Sequence, residues 1–193
     1  GQRIDRFTVP DENTGNCCSD LVDVNQWLSS QQAYEISPAL FSLQNKCMKI
    51  LLNEEDPDLT INEVLGVIGK HFKVSRSFVF LRDEKTIFSN KYEWCAQGVQ
   101  SQKELFQKID GTKDDFYHIL SEQEIIIFSN YNKLPSQLRE RLREVGLEQQ
   151  LQALIVMPLK SKGEIIGFVG FEDHHPRDWM PEEIIMLHNL CLL

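Results

Sequence analysis

Residues 153–173 read ALIVMPLKSKGEIIGFVGFED, and this stretch decides the fold. Two apolar runs, Ala153 to Leu159 and Ile165 to Phe171, are separated by a short polar segment that ends at Gly163. Apolar runs of this length around a short turn are typical of a β-hairpin. Because strands joined by a short turn pair antiparallel, the sequence predicts an antiparallel sheet.

The second strand of this hairpin carries two glycines, Gly167 and Gly170, three positions apart. Side chains alternate along a strand, so each face of the strand lacks one side chain. Glycine weakens a strand and marks places where another backbone or a ligand comes close. The pattern predicts close packing here, against either a neighbouring element or a ligand.

A second pair of strands is predicted nearer the amino terminus. The apolar run 78–81 leads through a polar turn into a strand over residues 86–96. Alternation places Tyr92 and Trp94 on one face of that strand and Glu93 on the other. A compact Ile-rich run at 124–128 predicts a further strand.

Helical periodicity surrounds these strands. Thr60 and Glu63 form a capping-box pattern that predicts the start of a helix, and further helices are predicted after Pro135 and Pro181. An apolar stripe with steps of four and three predicts an earlier helix; its members are Ile36, Leu40, Leu43, Cys47 and Ile50.

This first stripe has two interpretations. It can pack on the core of its own domain, or it can form a short dimer seam. If it is a seam, we expect a homodimer through Ile36, Leu40, Leu43 and Ile50.

The order of elements predicts an α+β fold with a central antiparallel sheet, helices packed on it, and the first and last helices adjacent. Residues 1–35 show little periodicity and are predicted to form an arm or linker. We expect the domain to cover residues 36–193.

The composition excludes several classes of function. A net charge of −9 over 193 residues argues against nucleic acid and anionic membranes as partners, because both attract clustered Lys and Arg. No apolar run approaches the roughly 18 residues that a membrane helix needs. The five cysteines lack paired zinc-site spacing, so we expect a reducing, cytoplasmic setting.

Several clusters together resemble a GAF domain of bacterial signalling proteins. They are His71-Phe72 before the first strand, Tyr92-Glu93-Trp94-Cys95 closing the second, Leu134-Pro135 before the central helix, and Ile166 to Asp173 followed by Trp179. The resemblance implies a cytoplasmic, non-catalytic module that senses a small molecule within a sensor histidine kinase of a two-component system or a cyclic-dinucleotide enzyme. It also implies an output domain beyond the last helix.

The resemblance further implies a pocket between the sheet and the connections over residues 97–131. Such pockets are mostly apolar with a few directed polar groups. The aromatic residues best placed to line it are Trp94, Phe116, Tyr117 and Phe128, each of which could instead belong to the plain core. Glu93 could be the buried polar group that orients a ligand, or a surface acid. The cofactor stays unknown. Cyclic AMP, cyclic GMP and a bilin are not expected, because the signature Asn-Lys-x-Phe-Asp-Glu of cyclic-nucleotide-binding GAF domains and the Cys-His context that attaches a bilin are both missing.

Two alternative functions remain open, one as an enzyme and one as a structural module. Some GAF-fold enzymes reduce free methionine sulfoxide, and Cys95 would then be the nucleophile, provided that it is an activated thiolate. Alternatively, the domain is a purely structural dimerisation module with Cys95 packed in the strand. The run Glu172 to His175 offers metal-ligand side chains, but neighbours on an extended chain point apart, so a solvated loop is the favoured interpretation.

Overall fold

The computed structural model describes residues 37–53, 55–123, 125–147 and 150–191. Ile36 and the arm predicted over residues 1–35 lie outside this part of the chain. Within it, the longer helices are α1 Pro38–Asn53, α2 Pro57–Phe72, α3 Asp115–Gln123, α4 Ser136–Glu144 and α5 Pro181–Leu190. The strands are β1 Arg76–Glu84, β2 Ile87–Cys95, β3 Ile109–Asp110, β4 Ile126–Phe128, β5 Ala153–Ser161 and β6 Glu164–Asp173.

The six strands form one sheet in the order β3-β2-β1-β6-β5-β4, and every neighbouring pair is antiparallel. The hairpin predicted from residues 153–173 is the pair β5 and β6. Strand β3 was not predicted, because two residues that pair with Ile87 and Phe88 leave no periodic signal. The antiparallel α+β architecture is confirmed.

Both faces of the sheet are covered, and the residues of each strand divide between two cores. Val79 of β1 packs with α1, α2 and α5, whereas Phe78 and Phe80 pack with α3 and α4. In β5, Ile155 lies in the first core and Val156 in the second. We call the side of Val79 and Ile155 the helix face, and the side of Phe78, Phe80 and Val156 the cavity face. Burial on both sides explains why the central strands are continuous apolar runs.

Helix α1 packs on the helix face through its predicted stripe. Leu40 and Leu43 are 1% and 5% exposed in the single chain and share a core with Ile184 and Leu187 of α5. Ile50 packs against the same core. The predicted seam through Leu40 and Leu43 is therefore wrong, because these side chains are already buried in their own domain. The contact of α1 with α5 confirms that the first and last helices are adjacent.

The start of α2 differs from the prediction. Asp56 is the N-cap, its carboxylate accepts a hydrogen bond from the backbone N–H of Asp58 at 2.9 Å, and Pro57 follows. Thr60 lies inside the helix, where its hydroxyl donates to the carbonyl of Asp56 at 2.7 Å. An aspartate followed by proline fits the N-cap and first helical positions, and this start signal prevailed over the predicted capping box at Thr60.

The described helices include none that is both long and apolar enough to cross a bilayer.

The glycines of β6 lie where neighbouring backbone comes close. A Cβ at Gly167 would lie 2.3 Å from the carbonyl oxygen of Phe80, and one at Gly170 would lie 2.6 Å from that of Ile155. The Phe78 ring also lies against Gly170, 2.7 Å from such a Cβ. Close packing within the sheet therefore accounts for both glycines.

We expect Gly167→Ala to destabilise the domain by about 1–3 kcal/mol, because the added methyl group must displace the backbone of β1. Urea denaturation measures this loss. Ser161→Ala, at the exposed end of the same hairpin, is the control and should have little effect. An unchanged urea midpoint for Gly167→Ala would contradict the close approach.

Candidate ligand-binding site

A cavity of about 120 Å³ lies between the cavity face of the sheet and the segments that cover it. Much of its wall is aromatic, and the rings of Phe80 and Phe168 are stacked with their centroids 4.8 Å apart. The apolar lining from the sheet includes Phe78, Phe80 and Phe168, and the lining from the covering segments includes Phe106, Phe116 and Leu120. An apolar molecule would be well accommodated by such walls.

One end of the cavity is charged. Arg76 of β1 lies directly opposite Glu172 of β6 in the strand register, and the two side chains form an ion pair. On the other side of β1, Nε of Arg76 lies 3.4 Å from Oε2 of Glu93. The side chains of Arg76, Glu93 and Glu172 are 1%, 3% and 7% exposed. We call Arg76, Glu93 and Glu172 the charged triad.

The triad also holds the loop that covers this end. The Nη2 group of Arg76 donates to the carbonyl oxygen of Gln100 at 2.5 Å. Glu93 accepts hydrogen bonds from the hydroxyl of Ser101 at 2.5 Å and from the backbone N–H of Gln102 at 3.2 Å. The covering loop is therefore fixed by charge-assisted hydrogen bonds.

Two amide side chains at the polar end have an unpartnered atom. Asn90 and Gln102 line the cavity and are 2% and 5% exposed. Within the part of the chain that the structure describes, Oδ1 of Asn90 and Nε2 of Gln102 have no hydrogen-bond partner. A buried polar group without a partner costs about 1–3 kcal/mol, so a bound molecule that satisfies both atoms would gain that free energy.

His174 lies beside the triad, with Nε2 3.8 Å from Oε1 of Glu172. Burial and the positive charge of Arg76 lower the pKa of its imidazole below the ordinary value of 6.5. Both effects favour the neutral imidazole, which adds no positive charge to this end of the cavity.

Asp173, the residue after Glu172, makes its contacts on the helix face of the sheet. Asp173 is buried and its Oδ2 lies 3.1 Å from Nη1 of Arg177. Arg177 also donates to the carbonyl oxygen of Phe72 at 3.2 Å and forms an ion pair with Glu183 of α5. We call Asp173, Arg177 and Glu183 the α5 anchor. Burial raises the pKa of the Glu183 carboxyl, although Arg177 opposes the shift.

Glu172 and Asp173 were predicted to lie in a solvated loop, and this prediction is wrong. They are 5% and 7% exposed and end strand β6, where each carboxylate has an arginine partner. Their alternation to opposite faces is as predicted. In the described residues, no three His, Cys, Asp or Glu side chains are grouped closely enough to hold a metal ion.

The structure places Glu93 and Phe116 of the predicted site residues on the cavity. Trp94 lies on the helix face, where a Cβ at Gly69 would lie 2.4 Å from its ring. The ring of Tyr117 packs beside Phe88 with the centroids 5.2 Å apart. Phe128 is fully buried, and its carbonyl oxygen accepts a hydrogen bond from Nε1 of Trp179 at 2.9 Å.

Sequence reasoning missed Arg76, Asn90, Gln102 and Glu172 as cavity residues. Asn90 carried little signal, because its neighbours in the strand, Ser89 and Lys91, are polar as well. Gln102 carried none, because it lies in a polar loop.

Cys95 lacks the environment of an activated thiolate. Burial raises the pKa of its thiol, and the nearby Glu93 carboxylate raises it further. The Sγ atom lies 3.5 Å from Oε1 of Glu93, as a hydrogen-bond donor. Nucleophilic cysteines need a lowered pKa, so this site favours a packed thiol.

We expect Arg76→Met to destabilise the domain by about 3–5 kcal/mol, because it leaves two buried carboxylates without their cation. Arg82→Met is the matched control: it lies on the same strand and pairs with Glu164, but that glutamate side chain is 72% exposed. Arg82→Met should lower the free energy of unfolding by less than about 1 kcal/mol. If urea denaturation gave the two variants equal losses in the free energy of unfolding, burial of the triad would not strengthen its ion pairs, and the expectation would be contradicted.

Comparisons with known proteins agree with the fold. A family model described as "GAF domain" matches residues 56–193. The chain is 28% identical over 145 residues to the methanogenesis regulatory histidine kinase FilI of Methanothrix harundinacea, covering 71% of this chain and 16% of the kinase. This chain thus spans about a sixth of that relative's length.

Solved structures show the same architecture. The GAF domain of a phosphoenolpyruvate-protein phosphotransferase from Coxiella burnetii superposes with a TM-score of 0.65 at 13% identity, over 81% of this chain and 91% of that domain. The bacteriophytochrome RpBphP3 of R. palustris gives a TM-score of 0.66 at 8% identity, over 83% of this chain and 37% of that chain. At these identities the likeness shows the fold alone. With the family match over most of its length, the chain belongs to the GAF domain family.

Proposed function

We propose that this GAF domain binds a small molecule in the cavity and acts as a non-catalytic sensory module. The observation that carries the proposal is the pair of buried, unpartnered amide atoms, on Asn90 and Gln102, at the polar end of a cavity whose remaining wall is largely apolar. A cavity that served only as core would gain stability from apolar residues at these two positions, since an unpartnered buried amide is costly.

The proposed signal passes through the end of β6. Glu172 belongs to the charged triad at the cavity, and the next residue, Asp173, belongs to the α5 anchor. A ligand that moves Glu172 therefore changes the packing of α5 through one peptide unit. It does so only if it binds the two arrangements with different affinity.

We further propose that the domain is part of a longer cytoplasmic signalling protein, with an output domain beyond α5. The similarity to a regulatory histidine kinase, of which this chain covers 16%, supports a kinase of a two-component system as that context. A homodimer stays a prediction. On α1, the apolar side chains that remain exposed to a partner are Phe41, Met48 and Leu52.

We expect at least one compound from a metabolite panel to raise the melting temperature of the domain. At a hundredfold excess over its dissociation constant, a ligand stabilises the folded state by about 2.7 kcal/mol. Val156→Phe fills the cavity from β5 and should abolish the shift. Leu59→Phe, at a 64% exposed position on α2, is the control and should retain it.

A domain that no compound stabilises would contradict the proposal and favour a purely structural module. A shift that survives in Val156→Phe would show that the compound binds elsewhere.

A further inference from the structure

The proposed function leaves open which chemistry the cavity selects. Resting on that function, we propose that the ligand carries an uncharged, amide-like edge, with one hydrogen-bond donor beside one acceptor, on a small apolar body. We also propose that the cavity rejects carboxylates and phosphates.

The charge at the polar end disfavours anions. With Arg76 as a cation and Glu93 and Glu172 as carboxylates, the triad has a formal charge of −1. Asp114 and Arg141 also line the cavity, one formally negative and one formally positive, so the formal charge of the whole lining is −1 as well. An anionic ligand would have to share Arg76 with two carboxylates that already pair with it, in a buried setting where repulsion is weakly screened.

The two residues that carry the unpartnered atoms both donate a hydrogen bond to one carboxylate, that of Glu93. Nδ2 of Asn90 donates to Oε2 of Glu93 at 3.3 Å, and the backbone N–H of Gln102 donates to the same side chain at 3.2 Å. A carboxylate only accepts hydrogen bonds, so it fixes Nδ2 of Asn90 toward itself and leaves Oδ1 as the free acceptor. Gln102 offers the free donor, Nε2.

An amide edge matches the acceptor and donor character of this pair of atoms. Its N–H donates to Oδ1 of Asn90, and its carbonyl oxygen accepts from Nε2 of Gln102. An ammonium group satisfies Asn90 but leaves Gln102 without an acceptor. A carboxylate satisfies Gln102 but places an acceptor against Oδ1 of Asn90.

The volume limits the body of the ligand. A cavity of about 150 Å³ holds benzene, and this cavity measures about 120 Å³. The fitting ligand therefore has about as many non-hydrogen atoms as benzene. Isobutyramide has the same number and a branched body suited to the walls formed by Phe78, Phe80 and Phe168.

The test compares three probes that share one branched four-carbon skeleton and differ in the polar group: isobutyramide, isobutyrate and isobutylamine. Benzene serves as the apolar reference, and affinities come from ¹H–¹⁵N NMR titration of the folded domain at pH 7.5. We expect benzene and isobutyramide to shift the signals of cavity residues, and isobutyrate to bind at least tenfold more weakly than isobutyramide. Isobutylamine should also bind more weakly than the amide.

Two variants locate the selectivity. Gln102→Met removes the free donor and should weaken isobutyramide about tenfold while leaving benzene unchanged. Gln44→Met, on α1 at the helix face, is its control and should change neither affinity. Glu172→Gln removes one formal negative charge from the triad. It should therefore reduce the ratio of the affinity for isobutyramide to the affinity for isobutyrate.

The outcomes separate the two proposals. If no probe, benzene included, shifts the cavity signals, the small-molecule site itself is contradicted. If benzene binds but isobutyrate or isobutylamine equals or exceeds isobutyramide, the cavity is a ligand site and the amide assignment is wrong. An unchanged isobutyramide affinity in Gln102→Met would also overturn the assignment.

Discussion

The placement of one buried cation constrains the candidate site of this domain. Arg76 lies at the start of β1 with Glu172 on one neighbouring strand and Glu93 on the other, and all three side chains are nearly inaccessible to solvent. A buried charge is tolerated only when it is paired with good geometry. The pairing therefore requires the register of β2, β1 and β6 and also holds the loop at Gln100 that covers the cavity. A single electrostatic arrangement thus fixes both the floor and the cover of the polar end.

Strand β6 connects this polar end to the helix face. Because side chains alternate, Glu172 joins the charged triad and Asp173 joins the α5 anchor, where Arg177 also binds the last carbonyl of α2. Arg177 further lies 4.7 Å from the centre of the Trp179 ring, just before α5. The cavity and the last helix are therefore linked by adjacent residues of one rigid strand. Under the proposed function, this proximity makes the end of β6 the route by which a bound ligand would change the packing of α5.

The sequence predicted the parts of the fold that depend on periodicity. The two hairpins, the order of elements and the contact between the first and last helices follow from apolar runs, turns and spacing. Alternation correctly separated Glu93 from Trp94, but it could not say which face meets a cavity, so both were expected there. The stripe on α1 was equally ambiguous, since Leu40 and Leu43 would be apolar in a dimer seam or in their own core.

The polar end of the site was not predictable, because it is assembled by tertiary structure. Arg76, Asn90, Gln102 and Glu172 come from three strands and a loop, and none of them forms a local motif with another. Glu172 was placed in a solvated loop because charged residues at a strand end usually are solvated. Its burial depends on a partner almost a hundred residues away, and only the sheet register brings the two together.

Hydrogen–deuterium exchange tests most directly whether the cavity communicates with α5. It is measured with and without the compound that gives the largest thermal shift. We expect exchange to change in α5 and at the end of β6 as well as around the cavity, and Arg177→Met should abolish the change in α5 alone. A change confined to the cavity face, with α5 unaffected at saturation, would contradict the account.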